Sequence, residues 1–441
     1  MTYVGSRPAN KPVNQTDIED DAISLAKLAA GTDGNIISYD ASGNPVAIAT
    51  GNDGQVLTST GAGSPPAFET VVVPTLRPNA KPFIVNGDMA ISQRSTSVTG
   101  IGDGDSGYHA IDRFKFEEGN TPAAVWTMTQ ESLSSGNAYN AGFLKALKMD
   151  CTTSDDLSNH GDILNVIAYN SERQDAHYWK KGTSSAEKFT LAFWIKATKT
   201  GTHTCELRDN ANDRAVSVAY TISSSNTWEH KVINFPADTT GAIGTGNSKG
   251  LSIYCCLHHG GNYVSGAALQ TAWGGSSTNA RYKGQVNNAD STSNNWHLTG
   301  VQLEVGEYTS STLPSFQHES YGDNLSRCQR YFQNIADGTD KAIGMGHYWE
   351  AQEFIGHRVL STVMRTTPTL EYVTGTNYYA VLRDGGADQL DALTISSSPS
   401  SSSMISWYVG SSQGLASNTK NRPGFFRTQN SSSKVGFTAE L

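Results

Sequence analysis

The stretch Trp296–Phe332, WHLTGVQLEVGEYTSSTLPSFQHESYGDNLSRCQRYF, decides how the chain is read. Its first part is a strand. Val301, Leu303 and Val305 alternate with Gln302 and Glu304, the two-residue period of a sheet with one buried and one wet face. Its last part follows the helical period. Ser320 is placed to cap a helix with Asp323 three residues on, and Tyr321, Leu325, Cys328 and Phe332 fall at i, i+4, i+7 and i+11 on one apolar face. A β domain therefore closes here, and a short helix leads out of it.

Upstream, alternating runs mark further strands at Phe189-Leu191-Phe193-Ile195, Val216-Val218-Tyr220-Ile222, Ala110 to Phe116 and Leu251 to Leu257. Turn clusters such as KTGTH and DTTGAIGTGNSKG separate them. Seven or more strands over about 235 residues predict a β-sandwich. Downstream, Ala380-Val381-Leu382, Leu393-Thr394-Ile395 and Met404 to Val409 surround the low-complexity SSSPSSSS and read as a separate, smaller β module.

Near the N-terminus, GTDGNIISYDASGNPVAIAT (31–50) is followed without a gap by GNDGQVLTSTGAGSPPAFET (51–70), a 20-residue repeat. Gly34/Gly54, Gly43/Gly63 and Pro45/Pro65 match, and Ile36-Ile37 aligns with Val56-Leu57, so each copy reads as turn, strand, turn. Two such copies are too small to bury their apolar residues alone, and the surface they lack points to oligomerisation. Ahead of them, Thr16 to Ala30 carries a Thr16/Glu19 capping box and Ile18, Ala22, Leu25 and Ala29 at helical spacing, which favours a short helix. VVVPTLRPNAK (71–81) is punctuated by proline and reads as a linker.

Composition narrows the function classes. Among 441 residues only 17% are charged, against roughly 25% in ordinary globular proteins, as suits strands joined by Gly, Ser, Thr and Asn turns. A net charge of -9 without a basic stripe argues against a nucleic-acid partner. No apolar leader and no run of 18 apolar residues is present, so neither a secretory signal nor membrane insertion is expected. Five scattered cysteines without a C-x-x-C pair fit reduced thiols.

Motifs for chemistry are weak. Gly246-Asn247-Ser248-Lys249-Gly250 matches G-x-S-x-G, but a strand follows instead of a helix. Cys255-Cys256-Leu257-His258-His259 splits two potential zinc ligands to each face of a strand, with no second cluster to complete a site. Asp103-Gly104-Asp105-Ser106-Gly107 looks like half of a calcium loop, but Phe114 stands where an EF-hand needs its bidentate Glu. Glu172, Glu187, Glu304 and Glu307 offer carboxylates for glycoside cleavage only if the fold pairs them. Aromatic residues are better candidates, because the CH-rich face of a sugar packs on a ring. Trp194 alternates with Phe193 and Ile195, which places it on an outer face. Tyr348-Trp349, Tyr378-Tyr379 and Trp407-Tyr408 put adjacent aromatics on opposite faces of any strand. Trp349, Tyr378, Tyr379 and Trp407 are taken as ligand-binding candidates.

The ordered phrases FIVNGDMAISQRS, IDRF, TLAFWIKATKTGTHTCELRDN, NTWEHKVINFPADTTG and GVQLEVG, then PSFQHESYG and LSRCQRYFQ, resemble those of bacteriophage tail-fibre and receptor-binding proteins. SLAKLAAGTDGNIISYDASGNP resembles their N-terminal regions, where the segment before the repeats can be strand in an intertwined trimeric shaft. VMRTTPTLEY and VGFTAEL resemble their C-terminal module. The resemblance implies a mainly β chain. It divides into residues 1–75 for tail attachment and trimerisation, 80–317 as a jelly-roll domain like a carbohydrate-binding module, 318–334 as a linking helix, and 335–441 as a small C-terminal β-sandwich module at the distal tip. It implies a homotrimer that joins phage tail or adaptor proteins through its N-terminus, binds host surface polysaccharide, and sits in the virion tail after assembly in the host cytoplasm. No catalysis and no cofactor are expected, beyond the structural calcium that such jelly rolls often hold. A capsule-degrading depolymerase and a tail component without receptor binding are the alternatives.

Overall fold

The computed structural model describes residues 12, 14–19, 31–70, 81–102, 104–120, 122–156, 161, 164–276, 279–396, 400–410, 415 and 419–441. The helix or strand expected over Thr16 to Ala30 lies mostly outside these residues. Where its start is described, the chain makes one 3-10 turn, Gln15–Asp17. The linker, save its last residue Lys81, also lies outside them. Contacts divide the chain into two compact units, Met1–Pro74 and Thr75–Leu441.

In the first unit each repeat copy is one antiparallel hairpin. Strand β1 (Ile36–Tyr39) pairs with β2 (Pro45–Ile48), and β3 (Gln55–Thr58) pairs with β4 (Ala67–Thr70). The matched glycines explain why the copies stay alike. Gly34 and Gly54 sit at φ 77° and 84°, and Gly43 and Gly63 at 79° and 80°, where a Cβ is strained. None of residues 31–70 is buried, and Ile37 and Tyr39 are 66% and 64% exposed.

The second unit opens with a sandwich. Its strands are β5 (Ser97–Ile101), β6 (Phe114–Gly119), β7 (Val125–Ser132), β8 (Lys145–Thr153), β9 (Leu164–Glu172) and β10 (Phe189–Ala197). They continue with β11 (Gly201–Asp209), β12 (Arg214–Ile222), β13 (Glu229–Phe235), β14 (Lys249–His259), β15 (Gly274–Gly275) and β16 (Asn295–Val305). Two six-stranded sheets result, ordered β13-β10-β16-β8-β7-β5 and β15-β12-β11-β14-β9-β6. Alternation decides the core between them: Phe189, Leu191, Phe193 and Ile195 of β10 meet Leu207, Val216 and Ile253 of the facing sheet. The strand expected from Ala110 begins only at Phe114. Ala110 to Arg113 is a turn, with Arg113 at φ 72°.

A four-residue helix, α1 (Asn137–Asn140), lies between β7 and β8, and α2 (Tyr321–Gln329) follows the sandwich. Ser320 caps α2, its Oγ accepting from the Asp323 N–H at 3.2 Å. Leu325 and Cys328 pack on Val85 and Ile91 as the helical period predicts, whereas Tyr321 is exposed and Phe332 already belongs to the next strand. Then come β17 (Phe332–Asp337), β18 (Ala342–Glu350), β19 (Glu353–Val359), β20 (Thr369–Tyr372) and β21 (Tyr379–Arg383). The chain ends with β22 (Gly386–Leu390), β23 (Ile395–Ser396), β24 (Met404–Val409), β25 (Pro423–Thr428) and β26 (Lys434–Thr438). A seven-stranded sheet, β22-β21-β25-β18-β19-β24-β23, covers a second core with a three-stranded sheet, β17-β26-β20. The chain is thus mainly β, with two short α-helices among the described residues.

The two cores are separate, but the C-terminal sheets do not stand apart from the sandwich. A buried ionic seam joins them. Glu172 at the end of β9 has no exposed surface, and it accepts from Arg330 Nε and Nη2 at 2.7 and 2.9 Å and from the Tyr331 hydroxyl at 2.8 Å. Arg113, equally buried, pairs with Glu440 at 2.5 Å and stacks 3.4 Å above the Tyr331 ring. Arg94 lies 3.6 Å above the Phe332 ring and reaches Glu371 at 2.9 Å. The last residue is held too: its carbonyl accepts from Tyr108 at 3.1 Å and from Asn170 at 3.3 Å.

Burial also sets a pH dependence. It holds His203 down at about 4, and it lowers His259 and His297 as well. A histidine depressed in the fold contributes stability above its unfolded value near 6.5 and loses it as pH falls towards its folded value. Asp112, pushed up to about 6 by burial, has the opposite sign, its contribution being lost as pH rises from about 4 to 6. Burial lowers His109 and His230 too and raises Asp175, so five imidazoles oppose two carboxylates and urea unfolding should show lower stability at pH 4.5 than at pH 7. A midpoint that does not move between these pH values would contradict this.

Candidate functional site

One face of the seven-stranded sheet covers the second core, and the other presents a lattice of side chains outward. Register defines it. Phe425, Met345 and His357 are neighbours across β25, β18 and β19, and Pro423, His347, Ile355 and Tyr408 are neighbours from β25 to β24. Met345 is 71% exposed, and Phe425 and Tyr408 are each 37% exposed. Single exposed apolar side chains need no explanation, but a contiguous row on one sheet face does.

Trp349 continues this face at the tip of the β18–β19 hairpin and is 57% exposed. It sits where the register shifts between Tyr348 and Glu350, and strand alternation puts it on the same face as Met345 and His347. The base beneath it is packed. Tyr348 points inward with no exposed surface, donates to Asp388 at 2.6 Å, and packs on Phe354 with ring centroids 5.5 Å apart. The residue after Trp349 is paired: Lys420 bonds both Glu350 oxygens at 2.8 and 2.7 Å. The Tyr408 phenol is held above its ordinary value by partial desolvation and by its hydrogen bond to, and the charge of, Glu353. An exposed ring can stack on a sugar face, and carboxylates and an ammonium can accept from and donate to sugar hydroxyls.

The four sequence candidates part company here. Trp349 is outward and Tyr378 half-buried, packed against the second core. Tyr379 and Trp407 have no exposed surface and belong to that core, which corrects their assignment as ligand contacts. The reason is parity. Trp407 shares the inward set of Ile405 and Val409, and Tyr379 that of Val381, so the outward member of the Trp407-Tyr408 pair is Tyr408. That apolar alternation was present in the sequence and identifies Tyr408.

The sandwich offers less open surface. On the sheet containing β11 and β14, a covering loop sets Arg281 on Glu206 with two contacts of 2.6 Å and buries Tyr282, while Asn170 and Glu172 of β9 lie in the seam. On the other sheet Trp194 does lie on the outer face, half-buried and 5.0 Å from the His230 ring. Beside it Glu131 is shared by His297 at 2.8 Å and Lys196 at 3.7 Å. A cavity of about 450 Å³ opens where Pro82 to Val85 meets α2, but Arg327 and Arg330 in its wall are committed to Glu319 and Glu172.

The other motifs gather no reactive cluster. Ser248 lies in an exposed loop before β14, its carbonyl accepting from Arg173 N–H at 2.9 Å. His258 Nδ1 lies 3.3 Å from Asn165 Oδ1, and His259 Nε2 lies 3.2 Å from the Gln285 carbonyl. Among the described residues no group of three or more His, Cys, Asp or Glu is placed to hold a metal ion. Asp103 of the expected calcium loop lies outside them, and Glu118 Oε2 accepts from the Gly104 N–H at 2.7 Å. Glu172, Glu187 and Glu307 are each committed to a different cation, Arg330, Lys180 and Lys188. No helix among the described residues is long and apolar enough to cross a membrane.

No protein-family model matches the chain, and no curated protein sequence matches it. Among solved structures it is similar to the enzymatically active domain of tailspike protein 4 of bacteriophage CBA120, at 13% identity and a TM-score of 0.26 over 44% of this chain and 19% of that one. It is also similar to a family 61 carbohydrate-binding module in complex with β-1,4-galactotriose, at 7% identity and a TM-score of 0.24 over 51% and 99% of the two chains. A third is the family 11 carbohydrate-binding module of a Clostridium thermocellum cellulosomal cellulase, at 10% identity and a TM-score of 0.24 over 48% and 96%. Likenesses at this level assign neither fold nor function, and what those proteins bind is a property of theirs.

Proposed function

We propose that this chain is an adhesion protein of a bacteriophage tail, a homotrimeric fibre component whose distal C-terminal face binds a host surface glycan without cleaving it. The observation that carries the reading is Trp349, an outward indole 57% exposed at a break in the strand register and at the head of an apolar row. The order of family-like phrases along the sequence supports the setting. The first unit supplies the second support, because hairpins with no buried residue are marginal in water until other copies cover them. On this reading residues 1–75 hold three copies together and join the tail or an adaptor, the jelly-roll sandwich over 80–317 spaces the tip from the tail, and 335–441 contacts the cell.

Avidity makes the arrangement workable. A single shallow sugar site often binds with a dissociation constant of order millimolar, about -4 kcal/mol, and linked sites gain roughly 10² to 10⁴ without new contacts. A glycan array probed with the intact protein tests the proposal. The expected result is retention of a set of bacterial surface glycans that share one terminal or repeating motif; no retention of any glycan at micromolar protein would overturn it.

A further inference from the structure

Cys205 on β11 and Cys255 on β14 stand directly opposite each other in an antiparallel pair. Both face the sandwich core, and their sulfurs are 3.5 Å apart. Fifty residues separate them in sequence. The remaining cysteines are placed differently: Cys256 takes the other face of β14, Cys151 lies on β8 in the facing sheet, and Cys328 lies on α2. A disulfide requires sulfurs at about 2.05 Å and Cβ atoms near 4 Å, a geometry that two residues in cross-strand register reach by side-chain rotation.

We propose that Cys205 and Cys255 are a modification site, forming an intramolecular disulfide when the protein passes from a reducing to an oxidising medium that contains a small disulfide such as oxidised glutathione. The exchange balances. One protein thiolate attacks a glutathione sulfur and expels one glutathione thiolate, leaving a mixed disulfide. The second protein thiolate attacks the protein sulfur of that bond and expels the other glutathione. Two protein thiols lose two protons and two electrons overall, and one glutathione disulfide becomes two glutathiones. Burial, the larger cause, and the neighbouring Cys255 thiol raise Cys205 well above the ordinary thiol range. The pair is therefore inert in the closed fold, and the exchange proceeds when β11 and β14 open locally. Once formed, the bond ties two central strands of one sheet and resists their separation.

The test uses the full chain at pH 8 with oxidised glutathione, in urea below the unfolding midpoint so that the strands open. Samples are quenched with acid, unfolded and labelled with N-ethylmaleimide. The reduced protein carries five labels, one per cysteine. The oxidised protein should carry three, five less two, with a Cys205–Cys255 linked peptide in the digest. Its thermal midpoint should rise by roughly 4 to 8 °C and return with dithiothreitol. Cys205→Ser should show no internal link. Should that variant fail to fold, Cys151→Ser should keep the link and carry two labels. Five labels after oxidation, or a link through Cys151, Cys256 or Cys328, would overturn the proposal.

Discussion

Replacing Glu172 with alanine should destabilise the second unit by about 1 to 3 kcal/mol, because it removes the charge partner of Arg330, itself a third exposed, and leaves the buried Tyr331 hydroxyl without its acceptor. The carboxylate has no exposed surface and holds Arg330 by two bonds and the Tyr331 hydroxyl by a third. Domains are stable by only about 5 to 15 kcal/mol, so the loss takes a large share of the total. The effect should also be uneven. Arg330 and Tyr331 follow the helix that leads into the C-terminal sheets, and the Tyr331 ring also lies under Arg113 of the sandwich, which pairs with Glu440. Calorimetry of the wild type should show the sandwich and the C-terminal sheets unfolding together, and Glu172→Ala should split that transition in two. A double substitution, Glu172→Ala with Arg330→Ala, should cost less than the sum of the single ones by about 1 to 3 kcal/mol. Additive losses would mean that the pair does not couple the modules.

Removing residues 1–74 should abolish the oligomer and with it most of the apparent affinity for a multivalent surface. In the first unit Ile36, Ile37, Tyr39, Val56 and Leu57 are all exposed, and no described residue between 31 and 70 is buried. Light scattering on the full chain should report about three times 47.2 kDa, and the truncated chain should run as a monomer. Surface binding should fall by roughly 10² to 10⁴, while the affinity for a soluble monovalent glycan stays unchanged. A full-length monomer would remove the fibre reading and leave a solitary lectin.

Much of the fold was legible because strands and turns are local. The alternation of Phe189, Leu191, Phe193 and Ile195 announced β10 and placed Trp194 outside, and the Ser320 cap with Leu325 and Cys328 announced α2. The matched glycines of the repeat marked its turns, but one strand was read in each copy where the structure has a two-stranded hairpin. The seam was not legible, since Arg113 and Glu440 are 327 residues apart and no period links them. The Cys205–Cys255 pair was hidden in the same way, because register between strands that are not consecutive leaves no mark on either one. The site was half legible. Adjacent aromatics guarantee one outward member, but choosing it requires the parity of the whole strand. Ile405, Trp407 and Val409 supply that parity in β24, and Tyr379 with Val381 supplies it in β21.

The central claim is that Trp349 carries glycan recognition, and the most direct measurement is a titration of the intact protein and of Trp349→Ala with a glycan retained on the array. Trp349 lies outside both cores, so the variant should unfold at the wild-type midpoint. It should bind 10- to 100-fold more weakly, a loss of about 1.4 to 2.7 kcal/mol, and Trp349→Phe should recover part of that loss. Equal binding by wild type and Trp349→Ala would contradict the account and move recognition away from Trp349.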